Sequence, residues 1–372
     1  MAQPMAHRLA GRYEVRSLIG RGGMAEVHLG FDTRLSRVVA IKMLRRDLAL
    51  DSIFQARFRR EAQSAASLNH PNIVAVYDTG EEIVSDATNR SLAIPYIVME
   101  YVEGHTVKEL ISDGTAVPIN EAIEIVSGVL SALQYSHANH LVHRDIKPGN
   151  IMLDSYQSPV LTDFGVSARI GEGRDGGLEG FSVMWAPPEQ HDGSAPADPS
   201  QDVWALGASL WTLLVGRSPF EDPIGDNSTV AVAMRVRSGR LRSIGRADAP
   251  EELDLVLRAA MNVDPARRLR TALAFAQSLQ GIQTLMGLPE TPIEVREEAP
   301  IPRPTEPSVA GHGGYPVPTT PDEQGTKLRV TSAAQEHTVR AGGGFDFSES
   351  GVVPVADSWN HPRKLTLINL SE

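Results

Sequence analysis

The run His143-Arg144-Asp145-Ile146-Lys147-Pro148-Gly149-Asn150 is followed, thirteen residues after Asn150, by Asp163-Phe164-Gly165. Together they put two carboxylates, an amide and an ammonium at the spacing needed to handle a phosphoryl group. Asp145 can accept the proton of an attacking hydroxyl, and Lys147, two residues on, can reach the group being transferred. Asn150 and Asp163 offer hard oxygen ligands of the kind Mg²⁺ takes. A single His, Asp or Asn would be read as a cap or a solvated side chain, but an ordered set of this kind is not explained that way.

The parts such chemistry needs upstream are present in order. Gly20-Arg21-Gly22-Gly23-Met24-Ala25-Glu26-Val27 follows the apolar pair Leu18-Ile19. Glycines there let a backbone hairpin lie against phosphates with no Cβ in the way; alone, the same residues would also suit a tight turn with no ligand. Val39-Ala40-Ile41-Lys42 reads as a buried strand ending in a cation, and a lysine at a strand end is usually solvated unless an acid meets it. In 51–68, Phe54, Phe58, Ala65 and Leu68 fall on one stripe at helical spacing, and Glu61 lies on that stripe. A carboxylate on an apolar face is costly unless paired. Lys42 is its natural mate, the alternative being that Glu61 reaches solvent beside Arg59 and Arg60.

With these motifs in place the chain resembles the eukaryotic-type serine/threonine protein kinases, and within them the bacterial, actinobacterial PknB-like branch. That family's signature is a Gly-rich loop, V-A-I-K, a helix Glu, H-R-D-x-K-P-x-N, D-F-G and A-P-E. Pro187-Pro188-Glu189 stands for the last of these. Further marks of the branch are Phe58-Arg59-Arg60-Glu61-Ala62, Asn69-His70-Pro71-Asn72-Ile73-Val74, Ile97 to Val102, Asp202 to Gly207 and Asp264 to Arg268. The resemblance covers roughly residues 12 to 283. It implies an α+β, two-lobed fold with a small β-rich lobe carrying one main helix and a larger, mostly helical lobe. It also implies ATP-dependent transfer of phosphate to Ser/Thr hydroxyls of proteins, with Lys147 marking Ser/Thr rather than Tyr specificity.

Carried over by resemblance, the nucleotide contacts are Ile19, Gly20, Arg21, Gly22, Gly23, Met24, Ala25, Glu26, Val27, Ala40, Lys42, Met99, Glu100 and Val102. Met99 stands as gatekeeper, and the backbone of Glu100 and Val102 faces the adenine. Lys42 held by Glu61, together with Asp145 and Lys147, forms the catalytic set, and Asn150 and Asp163 hold Mg²⁺, with Mn²⁺ as a substitute. Glu189 and Arg268 match a structural ion pair, and Asp202 a brace for the catalytic loop. Loss of Lys42, Asp145, Asn150 or Asp163 would have favoured the alternative, a nucleotide-binding pseudokinase that recruits partners through its tail; none is lost.

The elements that must position these groups follow from the pattern. Residues 12–98 alternate short β-type runs with the one helix at 51–68, and 104–283 are mostly helical. Asn120 can cap a helix whose Ile123, Val126, Val129, Leu130 and Leu133 line one face. Ser85 to Ala93 is polar and reads as a loop between strands. The expected organisation is an extension 1–11, a kinase domain 12–283 (small lobe 12–99, hinge 100–104, large lobe 105–283), a Pro-rich linker 284–325 and a tail 326–372. Nine prolines between Pro289 and Pro321 disfavour regular packing in the linker.

With 372 residues the chain can bury a large core, and its formal charge of −11 argues against a nucleic-acid partner. It has no cysteine. The N-terminus lacks a signal-peptide layout, and the apolar stretch Val203 to Val215 is too short to span a bilayer. A cytoplasmic location without a membrane span is expected, although many members of the family carry a membrane helix and an outer sensor. Two departures from the family pattern concern 166–182. Phe181-Ser182 replaces Gly-Thr, and the segment has no threonine, while Gly171 to Gly180 holds five glycines and the acids Glu172, Asp175 and Glu179. In the tail, Thr319-Thr320-Pro321-Asp322 resembles a ligand for a forkhead-associated domain once phosphorylated. The resemblance also implies a capacity to pair through the small lobe.

Overall fold

The computed structural model describes residues 8–85, 91–164, 168–169, 183–193 and 195–295. All of them belong to one unit spanning 1–303. Gly165, Ser167, Ser182, the 171–180 stretch, Thr319, Thr320 and the tail 326–372 lie outside the described residues.

The small lobe is an antiparallel sheet in the order β1-β2-β3-β4-β6-β5. Its strands are β1 (Arg8–Leu9), β2 (Tyr13–Arg21), β3 (Ala25–Asp32), β4 (Arg37–Leu44), β5 (Val76–Ser85) and β6 (Ser91–Glu100), with α1 (Ser52–Ala66) between β4 and β5. β4 lies between β3 and β6, and its stretch Val39-Ala40-Ile41-Lys42 is buried. β6 carries Pro95 although it is flanked on both sides. Its pairing with β4 runs only from Glu100 to Tyr96, so the missing N–H of Pro95 falls past the end of that ladder. Asp51 caps α1 by accepting from Ile53 N at 2.8 Å. The helix buries Phe58, Glu61, Ala62 and Ala65. The pairing of β5 with β6 extends to Ser85↔Ser91. Ser85 and Ser91 to Ala93 are therefore strand and not loop, and residues 86–90 lie outside the described residues.

The large lobe begins with β7 (Gly104–Thr106) and the short α2 (Val107–Leu110), followed by the 20-residue α3 (Ile119–Ala138). β8 (Leu141–Val142), β9 (Ile151–Asp154), β10 (Pro159–Leu161) and β11 (Ala168–Arg169) form two small sheets, β10-β9-β7 and β11-β8. α4 (Pro188–Asp192), α5 (Pro199–Val215), α6 (Thr229–Ser238), α7 (Glu251–Ala260) and α8 (Ala272–Leu285) complete it. α5 is buried along nearly its whole length, as expected of a core helix, and α3 packs against both α5 and α8. Trp204, Trp211, Phe275, Leu130 and Ile123 are among the largest fully buried side chains of this core.

Asn120 is not the cap of α3. Pro118 holds that position without a side-chain hydrogen bond, and the Asn120 amide donates instead to Glu124 at 2.5 Å. Proline's fixed φ starts the helix where the pattern suggested an amide would. The segment Asn69 to Val74 ties the small lobe to the large one. Asn72 Nδ2 donates to Pro159 O at 2.7 Å, and Val74 N and Leu161 O meet at 3.0 Å. Among the described residues no helix is long and apolar enough to cross a membrane.

Candidate active site

Between the lobes lies a cavity of about 1020 Å³. Its roof is the β2–β3 hairpin, where Gly22 N donates to Ala25 O at 2.8 Å. The hairpin glycines are not required by the protein's own packing. A Cβ on Gly23 would meet nothing within 4 Å, and one on Gly22 only Ala25 O at 3.5 Å. The space they keep open is space for something laid against the hairpin. Val102 and Val74, with Met99 and Met152 packed against them, make an apolar floor. This is the lining a flat heterocycle requires.

Lys42, 8 % exposed on β4, pairs with Glu61 on α1 and donates to Asp163 Oδ1 at 2.9 Å. Burial works against the Lys42 charge, but Asp163 and Glu61 outweigh it and hold the ammonium above its ordinary pKa. Burial likewise opposes the Asp163 carboxylate, and Lys42 outweighs it, holding that group below the usual range. Glu61 is fully enclosed and burial raises it, with Lys42 pulling the other way. The stripe on α1 explains the contact, because an acid among Phe58, Ala62 and Ala65 must find a cation.

Asp145 is 6 % exposed, and its two oxygens differ. Oδ2 accepts from Lys147 Nζ at 2.7 Å and from Asn150 Nδ2 at 3.0 Å. Oδ1 has no hydrogen-bond partner among the described residues. Burial raises the Asp145 pKa, and Lys147 opposes that shift. Asn150 Nδ2 also donates to the Asp145 carbonyl at 2.8 Å, so the amide is turned with its nitrogen toward Asp145. Its carbonyl oxygen and the Asp163 carboxylate, 40 % exposed, are hard donors that suit a divalent cation.

The loop holding these groups is strained. Arg144 has φ +69° and Asp163 φ +66°, each costing about 1–3 kcal/mol for a residue with a Cβ. The strain is held from α5. Asp202 Oδ2 accepts from His143 N (2.8 Å) and Oδ1 from Arg144 N (2.7 Å), and His137 Nε2 lies 2.8 Å from Oδ2. The His143 ring lies 3.1 Å from Thr162 O and packs on Phe164, with centroids 4.6 Å apart, joining the 143–150 loop to the 162–164 stretch. Glu189 and Arg268 form a buried bidentate pair at 2.8 and 3.2 Å.

Of the residues singled out in the sequence, Ile19, Gly20, Arg21, Gly22, Gly23, Met24, Ala25, Val27, Ala40, Lys42, Glu61, Met99, Glu100, Val102, Asp145, Lys147, Asn150 and Asp163 all line this one cavity. Glu26 does not line it, and its carboxylate accepts from Arg21 at 2.6 Å. Sequence reasoning missed Gln190, whose amide donates to Arg144 O at 2.6 Å, and Arg45, which borders the hairpin. Gln190 directly follows Pro187-Pro188-Glu189, the one signal that could have pointed to it.

Comparison with known proteins agrees with this geometry. Residues 13–279 match the protein kinase domain family. The chain is 43% identical over 270 residues to a probable serine/threonine-protein kinase of Streptomyces coelicolor, covering 71% of this chain and 39% of the relative. It is 42% identical over 283 residues to a probable serine/threonine-protein kinase PknB of Bifidobacterium longum, covering 74% and 40%. It is 40% identical over 270 residues to serine/threonine-protein kinase PknB of Mycobacterium tuberculosis, covering 71% and 42%. The chain thus matches about two fifths of the length of these curated relatives.

Proposed function

The chain belongs to the protein kinase family, and on that premise we propose that it transfers the γ-phosphate of ATP to Ser/Thr hydroxyls of proteins, its own included. The observation that carries this is Asp145: a buried carboxylate with one oxygen saturated by Lys147 and Asn150 and the other without a partner among the described residues. In this reading Oδ1 receives the substrate hydroxyl and takes its proton. The hydroxyl oxygen bonds to the γ-phosphorus as the bond from that phosphorus to the β–γ bridging oxygen breaks, and ADP leaves. Lys147 lies beside the transferred group, and Lys42, oriented by Glu61, neutralises α/β-phosphate charge. Asn150 and Asp163 would hold a divalent cation, Mg²⁺ or Mn²⁺, which supplies charge neutralisation at the phosphates.

The adenine would lie on the Val102–Met99 floor against the backbone of Glu100 and Val102. The pseudokinase alternative has no observation in its favour, since every group it would lack lines the cavity. A role in bacterial signalling and a cytoplasmic location belong to this reading through the sequence resemblance alone. Pairing through the small lobe and recognition of phosphorylated Thr319 or Thr320 by a forkhead-associated domain rest on the sequence reading alone.

The test is phosphate incorporation by mass spectrometry with Mg-ATP, alongside nucleotide affinity. Asp145→Asn should lower transfer by roughly 10²-fold or more while leaving nucleotide affinity within about twofold. Equal incorporation by wild type and Asp145→Asn overturns the assignment.

A further inference from the structure

Arg45 follows β4 three residues past Lys42 and is bonded along its whole length. Its backbone N–H donates to Met24 O at 2.9 Å, and Nη1 donates to Gly23 O at 2.9 Å. The other edge of the guanidinium, Nε and Nη2, grips both oxygens of Asp47 at 3.0 and 2.6 Å. Asp47 thereby fixes the plane of the fork, and the third nitrogen, Nη1, points at the tip of the Gly-rich hairpin.

The consequence for the hairpin is geometric. Its tip contains Gly22 and Gly23, the residue type that loses most freedom on ordering. Three of its carbonyls are nonetheless assigned: Gly23 O and Met24 O to Arg45, and Ala25 O to Gly22 N. A trans peptide points its C=O and N–H to opposite sides. Anchoring Gly23 O and Met24 O on Arg45 therefore turns the N–H groups of Met24 and Ala25 away from it. Carbonyl oxygens repel a phosphate and amide hydrogens attract one, so a hairpin whose Gly23 and Met24 oxygens are already held has fewer repelling groups free to face an anion.

We propose that Arg45, braced by Asp47, is a positioning residue that presets the Gly-rich hairpin for the nucleotide phosphates. The proposal rests on reading the cleft as a nucleotide site. The Arg45 side chain acts through the Gly23 carbonyl and not as a free charge beside the phosphates, while the backbone bond to Met24 O stays in every variant. Those two roles separate experimentally, because a lysine keeps the charge but cannot be gripped in a plane by Asp47 while bonding Gly23.

The experiment uses the full chain and three variants, Arg45→Ala, Arg45→Lys and Asp47→Asn. It measures ATP and ADP dissociation constants by calorimetry and hydrogen exchange of the 20–27 amides without nucleotide. The Arg45 and Asp47 side chains are 36% and 58% exposed, so the variants should fold, which thermal melting checks. All three should weaken nucleotide about fivefold to thirtyfold, the loss of one charge-assisted hydrogen bond. Exchange at the hairpin tip should rise about tenfold in each. Full rescue by Arg45→Lys would overturn the proposal in favour of a plain charge, and so would unchanged exchange in all three. If the wild type bound no nucleotide, the reading of the cleft would fail, and with it the nucleotide half of the proposal. The exchange data would then still decide whether Arg45 orders the hairpin.

Discussion

At the scale of single residues, Asp145 shows how environment sets chemistry. A carboxylate enclosed to this degree resists ionisation, and Lys147 at 2.7 Å restores part of the preference for charge. The net direction is upward from the ordinary carboxylate value, and a base acts only when ionised. The rate should therefore rise with pH through this raised value, giving an acid limb above where a solvated Asp titrates. Removing Lys147 takes away the opposing cation, so Lys147→Ala should move that limb to higher pH while lowering the plateau by roughly 10²-fold. Single-turnover rates across pH read this without interference from product release. A limb that stays in place, or moves to lower pH, would mean that Lys147 does not tune Asp145.

At the scale of elements, α5 acts on the catalytic loop through one side chain. Asp202 is fully buried and accepts from two loop amides and faces His137, and these bonds hold Arg144 at positive φ. Asp202→Ala leaves two buried N–H groups and a histidine without their acceptor. It should cost about 3–5 kcal/mol of stability, the range for breaking a buried charged network. The same change should lower kcat more than it raises KM for nucleotide, because the floor and hairpin of the cleft lie on other elements. Chemical denaturation with activity assays on the folded fraction checks both. A loss below about 1 kcal/mol would show that the loop is held elsewhere. Glu189 and Arg268 do for α4 what Asp202 does for the loop, with Arg268 also stacked 4.9 Å over Trp204.

At the scale of the whole molecule, the packed structure continues past residue 279, where the family match ends, and past the α8 terminus at Leu285. Gln283, fully buried, donates to Thr291 Oγ1 at 2.7 Å and accepts from Thr291 N at 2.8 Å. Glu294 N donates to Ser131 Oγ on α3 at 3.2 Å, and Ile293 packs against the main core. The packed structure therefore reaches at least Glu294, and the prolines at 289 and 292 lie in a strap and not at the start of the linker expected from 284. A chain ending at 296 should melt with the full chain. One ending at 286 should lose about 1–3 kcal/mol, since the Gln283 side-chain carbonyl oxygen loses its donor and the amide nitrogen keeps only Asn120 Oδ1 at 3.3 Å, and its Tm should fall by several degrees. Equal melting of the two truncated chains would place the strap outside the cooperative unit.

The fold class and most of the cleft lining were legible in the sequence through resemblance to a family whose motifs are short local runs, and the catalytic cluster itself through locality. Asp145, Lys147 and Asn150 meet because they lie within six residues of one loop. The Lys42–Glu61 pairing was legible because an acid on the apolar stripe of α1 needs a cation. Asp202 and the Glu189–Arg268 pair were legible only through resemblance, since their partners lie 58 to 79 residues away along the chain. Tertiary structure alone decided the contacts made by common residue types across longer separations: Gln190 to the Arg144 carbonyl and Arg45 to the hairpin. A backbone carbonyl leaves no trace in residue type, so a side chain that serves one looks like any solvated Arg or Gln. Structure also decided that Glu26 leaves the cavity to bond Arg21, and that Pro118 and not Asn120 begins α3. In each case a neighbour's geometry overrode what the residue type suggested.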